Sequence, residues 1–469
     1  MAIQNQGDEV KDTYSPIFVL KKGPMLSLIY PDQRKEVPMN NDNIELLKFV
    51  ELHYYDVNKE RTTIYIDTTT SEITINMYLN RRVTACTFCK STNTIIKETR
   101  KKHINHCIKP KQKIDIIFHQ KKFICKDCGT MFMENNPIGE TISNYGKLSM
   151  LNSLRNFRIT FKDISNDYFI PINTVQYYFD KCVDLSRHTL SKVMCFDEIY
   201  SRKLTKTKYA FCMFDPMSNT LLDLLDARRK NVLEEYFIHI PVKERLNVKY
   251  VNIDMWQTYV DISERYLPNA TICVDSFHVI EHLTDAMDKI RLKIQRRFVS
   301  TKDTDKSSFY WLLKSFHYYF VEDFDRISYN VRPNSHYSYL PDKHAVLKEL
   351  LSIDNELTNA YYLKEEYREF NLTEEYSQES VTKLEDLIEK FKKSPFEEFV
   401  DFGLLLNHWK YYIVNSFIRV DGKRMSNGPM ESLNSRLKRI LDNGYGYSNF
   451  DRFRNRALFS LNKNEPLKI

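Results

Sequence analysis

Three apolar runs that each end in an acidic residue constrain residues 191–280 more tightly than any other feature constrains the rest of the chain. Val193-Met194-Cys195-Phe196 runs into Asp197-Glu198. VKYVNI (248–253) runs into Asp254, and ATICV (270–274) into Asp275, with His278 one helical turn further on. YAFCMF (209–214) and TLLDLLDA (220–227) flank Asp215-Pro216-Met217-Ser218-Asn219, a hairpin turn by composition, and NVLEEYFIHI (231–240) has helical spacing. The predicted order is strand, strand, strand, helix, strand, helix, strand. Runs such as VKYVNI lack polar alternation, as expected of strands buried on both faces. A carboxylate at the exit of a buried strand is costly to desolvate. Several of them converging need a cation to hold them together.

The C-terminal stretch SNGPMESLNSRLKRI (426–440) adds a fourth acid. Ser426-Asn427-Gly428-Pro429 reads as a turn entering a helix, with Glu431 in its first turn and Asn434 and Lys438 on the same face. Each acid has a purely structural reading: Asp197 ends a strand, Asp254 caps the following helix, and Glu431 favours a helix N-terminus. Their joint occurrence with this strand order favours a metal site. Glu198, adjacent to Asp197, is expected on the opposite face of its strand. Arg228 and Arg229 follow the third strand, either as phosphate contacts or as solvated surface.

The pieces FDE (196–198), NIDMWQTY (252–259), VDSFHVI (274–280) and SNGPMESLNSRLKRI…YGYSNFDRFRNR (426–456) resemble insertion-sequence transposases of the ISL-three family. The resemblance runs from about residue 45 over most of the chain. It implies a multidomain α/β protein with a ribonuclease-H-like mixed sheet core, interrupted by an all-helical insertion and preceded by a four-cysteine zinc module and a helix-turn-helix domain. It places a catalytic triad on Asp197, Asp254 and Glu431 as Mg²⁺ (or Mn²⁺) ligands. Asp275 and His278 match the family's D-x-x-H signature and act directly at the site, orient it, or hold the insertion on the core; Asn434 and Lys438 could support a nearby phosphate. The implied activity is metal-dependent cleavage of DNA at the element's ends and transfer of the freed 3′-OH to target DNA, by a homo-oligomer assembled on double-stranded DNA. The alternatives are an idle, transposase-derived DNA-binding regulator and a nuclease that cuts without joining.

Cysteine usage supports the zinc expectation. Cys86-Thr87-Phe88-Cys89 and Cys125-Lys126-Asp127-Cys128 form two C-x-x-C knuckles, which together supply the four thiolates of a tetrahedral Zn²⁺ site. KIDIIFHQKKFIC (113–125) reads as a hairpin returning the second knuckle to the first, and the intervening His103, His106 and Cys107 as surface or packing residues. Net charge is only +7, but residues 81–130 hold thirteen Lys/Arg against three Asp/Glu, a local excess that favours phosphate. No apolar run approaches the roughly 18–20 residues of a membrane span, and the N-terminus lacks a signal-peptide layout, so a cytoplasmic, nucleoid-associated bacterial protein is expected.

The division expected along the chain is a tail (1–40), a zinc-binding domain (41–138), a helix-turn-helix domain (139–190), a first segment of the catalytic core (191–284), a helical insertion (285–424) and a second core segment (425–469). NIELLKFVELHYY (43–55) has helical spacing, and 61–79 reads as two strands joined at a Thr-Ser-Glu stretch. Within 139–190, helices over 145–157 and 161–170 precede one over 174–185 capped by Asn173. That arrangement offers Asn173, Thr174 and Gln176 to a major groove.

Overall fold

The computed structural model describes residues 37–38, 47–48, 51–53, 55–67, 69–80, 85–201, 204, 207–299, 304–322, 324, 342–425, 428–444 and 447–468. Most of the 1–40 tail, most of the 43–55 helix and the Ser426-Asn427 half of the C-terminal turn lie outside the described residues. The chain divides into two compact units, 1–103 with 114–135, and 104–113 with 136–469.

The first unit is built on a sheet of β1 (Val37–Pro38), β2 (Thr63–Ile66), β3 (Ile73–Met77), β4 (Thr94–Asn105), β5 (Ile114–Cys125) and β6 (Met131–Met133), ordered β1-β2-β3-β5-β4 with β6 on β5. β2 and β3 form the expected antiparallel pair. Asp67 holds their turn by accepting from the backbone N of Thr69 at 2.8 Å. The hairpin expected within 113–125 is instead one continuous strand, β5. The physical reason lies in the sequence: Ile114, Ile116, Phe118, Phe123 and Cys125 are buried, and no Gly, Pro or Asn interrupts the run to supply a turn. The second knuckle meets the first because β5 pairs with β4, which begins just after Cys89; Lys126 N donates to Asn93 O at 2.9 Å.

The second unit opens with α1 (Asn144–Ser153), α2 (Phe161–Asp167) and α3 (Ile172–Cys182). Ser143 caps α1, and Thr160 with Asp163 forms a capping box on α2. α3 starts earlier than expected. Pro171 occupies its N-cap position and Asn173 lies in its first turn, so Asn173 does not cap it. Proline has no side-chain acceptor, so no side-chain hydrogen bond caps this helix.

The central sheet contains β7 (Val193–Tyr200), β8 (Tyr209–Asp215), β9 (Thr220–Leu225), β10 (Tyr250–Ile253) and β11 (Thr271–Val274), ordered β11-β10-β7-β8-β9. β7, β10 and β11 are parallel, and β8 and β9 antiparallel to their neighbours. The β8–β9 turn is fastened by Asp215, which accepts from Met217 N and Ser218 Oγ at 2.8 Å each. α4 (Lys230–Ile238), α5 (Val242–Arg245) and α6 (Gln257–Tyr266) fill the crossovers. Beyond β11 come α7 (Ser276–Arg296), α8 (Thr304–Ser315), α9 (Lys343–Ser352), α10 (Asn355–Thr373), α11 (Gln378–Lys392) and α12 (Glu397–Asn415). The hairpin β12 (Arg419–Val420) and β13 (Lys423–Arg424) then leads to α13 (Gly428–Asn443) and α14 (Phe450–Leu461). The described residues of 285–424 are thus helical in their regular structure, apart from that short hairpin.

Strand alternation sorts β7 between two cores. Met194 and Phe196 face one layer with Leu233, Phe237, Tyr259 and Val260, and this core continues into the inserted helices. Cys195 and Ile199 face the other, with Leu433 and Leu437 of α13, Phe453 and Phe459 of α14, and Phe161, Val175 and Phe179 of α2 and α3. Burying each such Leu or Phe side chain contributes about 1.5–3 kcal/mol. The sheet is therefore covered on both faces.

Candidate active site and metal centres

The strand register creates the site. β10 pairs with β7 only up to Asn252 opposite Cys195, while β7 continues to Tyr200 with β8 on its other side. Beyond Cys195 one edge of β7 is therefore uncovered, and Asp254 follows directly from the end of β10. Asp197 and Glu198 leave opposite faces of β7, as alternation requires. Even so, the ligand oxygens of Asp197, Glu198 and Asp254 all lie within 4.8 Å of one another. Glu198 was not expected in this group. A sequence argument from alternation misses that the flanking strand stops short, which lets the longer glutamate arm turn round the open edge.

The surroundings organise these groups. Asn434 Nδ2 of α13 donates to Asp197 Oδ2, and Glu198 N donates to Asp197 Oδ1 at 2.6 Å. His278 Nε2 lies 2.9 Å from Asp254 Oδ1, and its Nδ1 is 3.2 Å from Glu281 Oε2. Glu198 pairs with Arg228 and accepts from Tyr259 Oη at 3.0 Å. Burial, reinforced by the neighbouring Asp254 carboxylate, pushes Asp197 up to about 8. Burial pulls His278 down, but its bond to Asp254 and that carboxylate's charge outweigh it and hold the imidazole at about 9. Burial also raises Glu198, against the opposing charge of Arg228.

Asp197 and His278 open onto a cleft of about 700 Å³ that is also lined by Glu431, Asn434, Lys438 and Arg439. The structure thus brings Glu431, Asn434 and Lys438 to the same cleft as Asp197, with Glu431 and Lys438 exposed. Asp275 takes a different place: it is buried at the head of α7, its backbone N donating to Ile253 O at 2.9 Å, and is not among the cleft-lining residues.

A transposase family model, DDE_Tnp_ISL3, matches residues 194–457, from the second residue of β7 into α14. This chain belongs to the ISL-three transposase family. No curated protein matches it. In this transposase the half-buried acidic cluster has the donor set of a hard, oxygen-preferring cation such as Mg²⁺ or Mn²⁺, which supports an enzymatic role of the DDE type.

A second candidate metal centre lies in the first unit. The Sγ atoms of Cys86, Cys89, Cys125 and Cys128 lie within 4.8 Å of one another, with Cys86 to Cys128 and Cys89 to Cys125 at 3.6 Å each. Four thiolates at this spacing match a closed tetrahedral Zn²⁺ site. Asp127 accepts from Asn93 Nδ2 at 2.7 Å and bonds Ser91, tying the two knuckle loops together. His106 and Cys107 are buried in packing, His106 Nδ1 lying 2.7 Å from Ser143 Oγ and Cys107 Sγ donating to Lys109 O at 3.0 Å.

On α3, Val175, Phe179 and Cys182 are buried. Asn173 is exposed, together with Tyr177 and Lys181 on the same stripe, while Thr174 and Gln176 are half-buried beside it. Among the described residues, no helix is long and apolar enough to cross a membrane.

Proposed function

We propose that this transposase binds the double-stranded ends of its insertion sequence, cleaves the DNA there, and joins the freed 3′-OH to target DNA, working as a homo-oligomer on DNA in the bacterial cytoplasm. The observation that carries the reading is the convergence of Asp197 and Asp254 at the open edge of β7, beside a cleft shared with Glu431. The strand order β11-β10-β7-β8-β9, with three parallel and two antiparallel strands, supports a ribonuclease-H-like core split by the 285–424 insertion. Asp197, Asp254 and Glu431 would hold Mg²⁺ or Mn²⁺, which when bound activates the attacking oxygen and stabilises the leaving one. Asn434 orients Asp197, His278 orients Asp254, and Lys438 with Arg439 supplies positive charge to a DNA phosphate in the cleft. The four cysteines would hold a structural Zn²⁺. The exposed stripe of α3 that carries Asn173, with Thr174 and Gln176 half-buried beside it, supports a helix-turn-helix reading of the element's ends.

The test is a strand-transfer assay on cognate end DNA in Mg²⁺, with Asp254→Asn as control. Joined products that vanish in the variant support the reading. Cleavage without joining would establish a nuclease, and end binding without cleavage by the unsubstituted chain would establish a regulator.

A further inference from the structure

Glu198 is held by more contacts than a salt bridge on a sheet edge needs. One carboxylate oxygen pairs with Arg228 and the other accepts from Tyr259 Oη. Arg228 is itself pinned: its guanidinium carbon lies 4.0 Å from the Trp256 ring centroid and 4.4 Å from that of Tyr209. Tyr259 is fully buried and packs edge-on against Trp256 at 5.0 Å. Trp256 and Tyr259 follow Asp254 within NIDMWQTY, so the segment that delivers Asp254 also builds the cradle for Glu198.

A carboxylate satisfied in this way has no internal reason to lie beside two others. An ion pair serving only the fold would gain by turning away from Asp197 and Asp254, since like charges at this range repel. The cradle instead keeps a Glu198 oxygen within 4.8 Å of both. Each carboxylate oxygen has two lone-pair sites, so one hydrogen bond per oxygen leaves capacity for a metal. Outer partners of this kind are what fix ligand carboxylates at metal centres.

We infer that Glu198 is a further ligand of the cation held by Asp197 and Asp254, and that Arg228 and Tyr259 are positioning residues that aim its carboxylate. The inference rests on the metal-dependent reading above and deepens it: the cation is held from both faces of β7 at once, by Asp197 on the α13 side and Glu198 on the α6 side.

The experiment is Mn²⁺ binding to the full chain without DNA, followed by loss of the free-ion electron paramagnetic resonance signal. Glu198→Gln is expected to weaken Mn²⁺ binding about 10-fold or more at unchanged melting temperature. Tyr259→Phe and Arg228→Lys, which keep shape and charge respectively, are expected to weaken it about 10-fold, within the range seen when outer partners of a metal ligand are lost. If Glu198→Gln fails to fold, Glu198→Asp, with its shorter arm, carries the same comparison. Wild-type affinity in the Glu198 variants alongside lost affinity in Asp254→Asn overturns the inference and leaves the proposed function standing. Absence of Mn²⁺ binding by the unsubstituted chain overturns both.

Discussion

Asn434 on α13 donates a hydrogen bond to Asp197 on β7 across 237 residues of sequence. That bond joins the two halves of the family-matched region, because α13 packs over the same face of β7 from which Asp197 leaves. Asn434→Ala is expected to lower strand-transfer activity about 10–100-fold, the range for removing a partner that orients a metal ligand. The melting temperature should stay near wild type. A variant with full activity would remove Asn434 from the site.

Binding and chemistry should separate. Asp254→Asn is expected to abolish cleavage and joining while end-specific binding persists. Asn173→Ala with Gln176→Ala should weaken end binding without altering Mn²⁺ affinity, since removing a side chain that reads a base edge costs about 1–3 kcal/mol. Gel-shift titration against cognate and scrambled ends checks both. Equal weakening on both DNAs would mean that α3 does not read sequence.

Deleting residues 1–190 is not a clean way to make that separation. Arg456 of α14 is buried and bonds the carbonyl of Leu154, and it donates to those of Asn156 at 3.0 Å and Ile159 at 2.8 Å. Burial draws its guanidinium down to about 10. Arg456→Met is expected to cost about 3 kcal/mol, because the buried Leu154 carbonyl and the part-buried carbonyls of Asn156 and Ile159 lose their charged donor. Denaturant unfolding measures the loss. A cost under about 1 kcal/mol would show that the Arg456 bonds do not hold α14 to the segment after α1.

The four cysteines should bind about one Zn²⁺ per chain, and Cys86→Ser should release it. Structural zinc contributes directly to folding, so protease sensitivity should rise across 85–133. The metal-free protein should retain the far-ultraviolet signature of the second unit. Full zinc retention by Cys86→Ser would count decisively against the ligand set.

Acid stability should report on Glu244. Burial would raise this carboxyl, but bonds from Arg187 at 2.5 and 3.0 Å and from Leu190 N at 2.6 Å together outweigh it and hold it below the usual glutamate range. A depressed folded-state value means the stabilisation is complete above the unfolded glutamate value and fades as pH falls through the folded one. Glu244→Gln should therefore cost about 1.5–3 kcal/mol at pH 7, the gap closing below about pH 4. A gap unchanged between pH 7 and pH 3 would rule out the linkage.

The sequence by itself determined what local periodicity and residue chemistry encode. Unbroken apolar runs specified the buried strands β7, β10 and β11, and Asp215 with its neighbours specified the β8–β9 turn. The two C-x-x-C pairs specified a thiolate cluster, because a knuckle is a local geometry. What the sequence left undetermined depends on where a neighbouring element stops. Alternation put Glu198 on the face away from Asp197, correctly for the backbone. Only the tertiary register, with the β10–β7 pairing ending at Asn252 opposite Cys195, opened the edge around which both carboxylates meet Asp254. The run 113–125, read as a hairpin, holds no Gly, Pro or Asn for a turn, and pairing with β4 and β3 keeps it as one strand. Asp275 and His278 share one motif, yet packing buries the first at the head of α7 and sends the second to Asp254. Which side chains converge is a long-range property: it is set by strand ends and helix docking, whose energies come from contacts hundreds of residues apart.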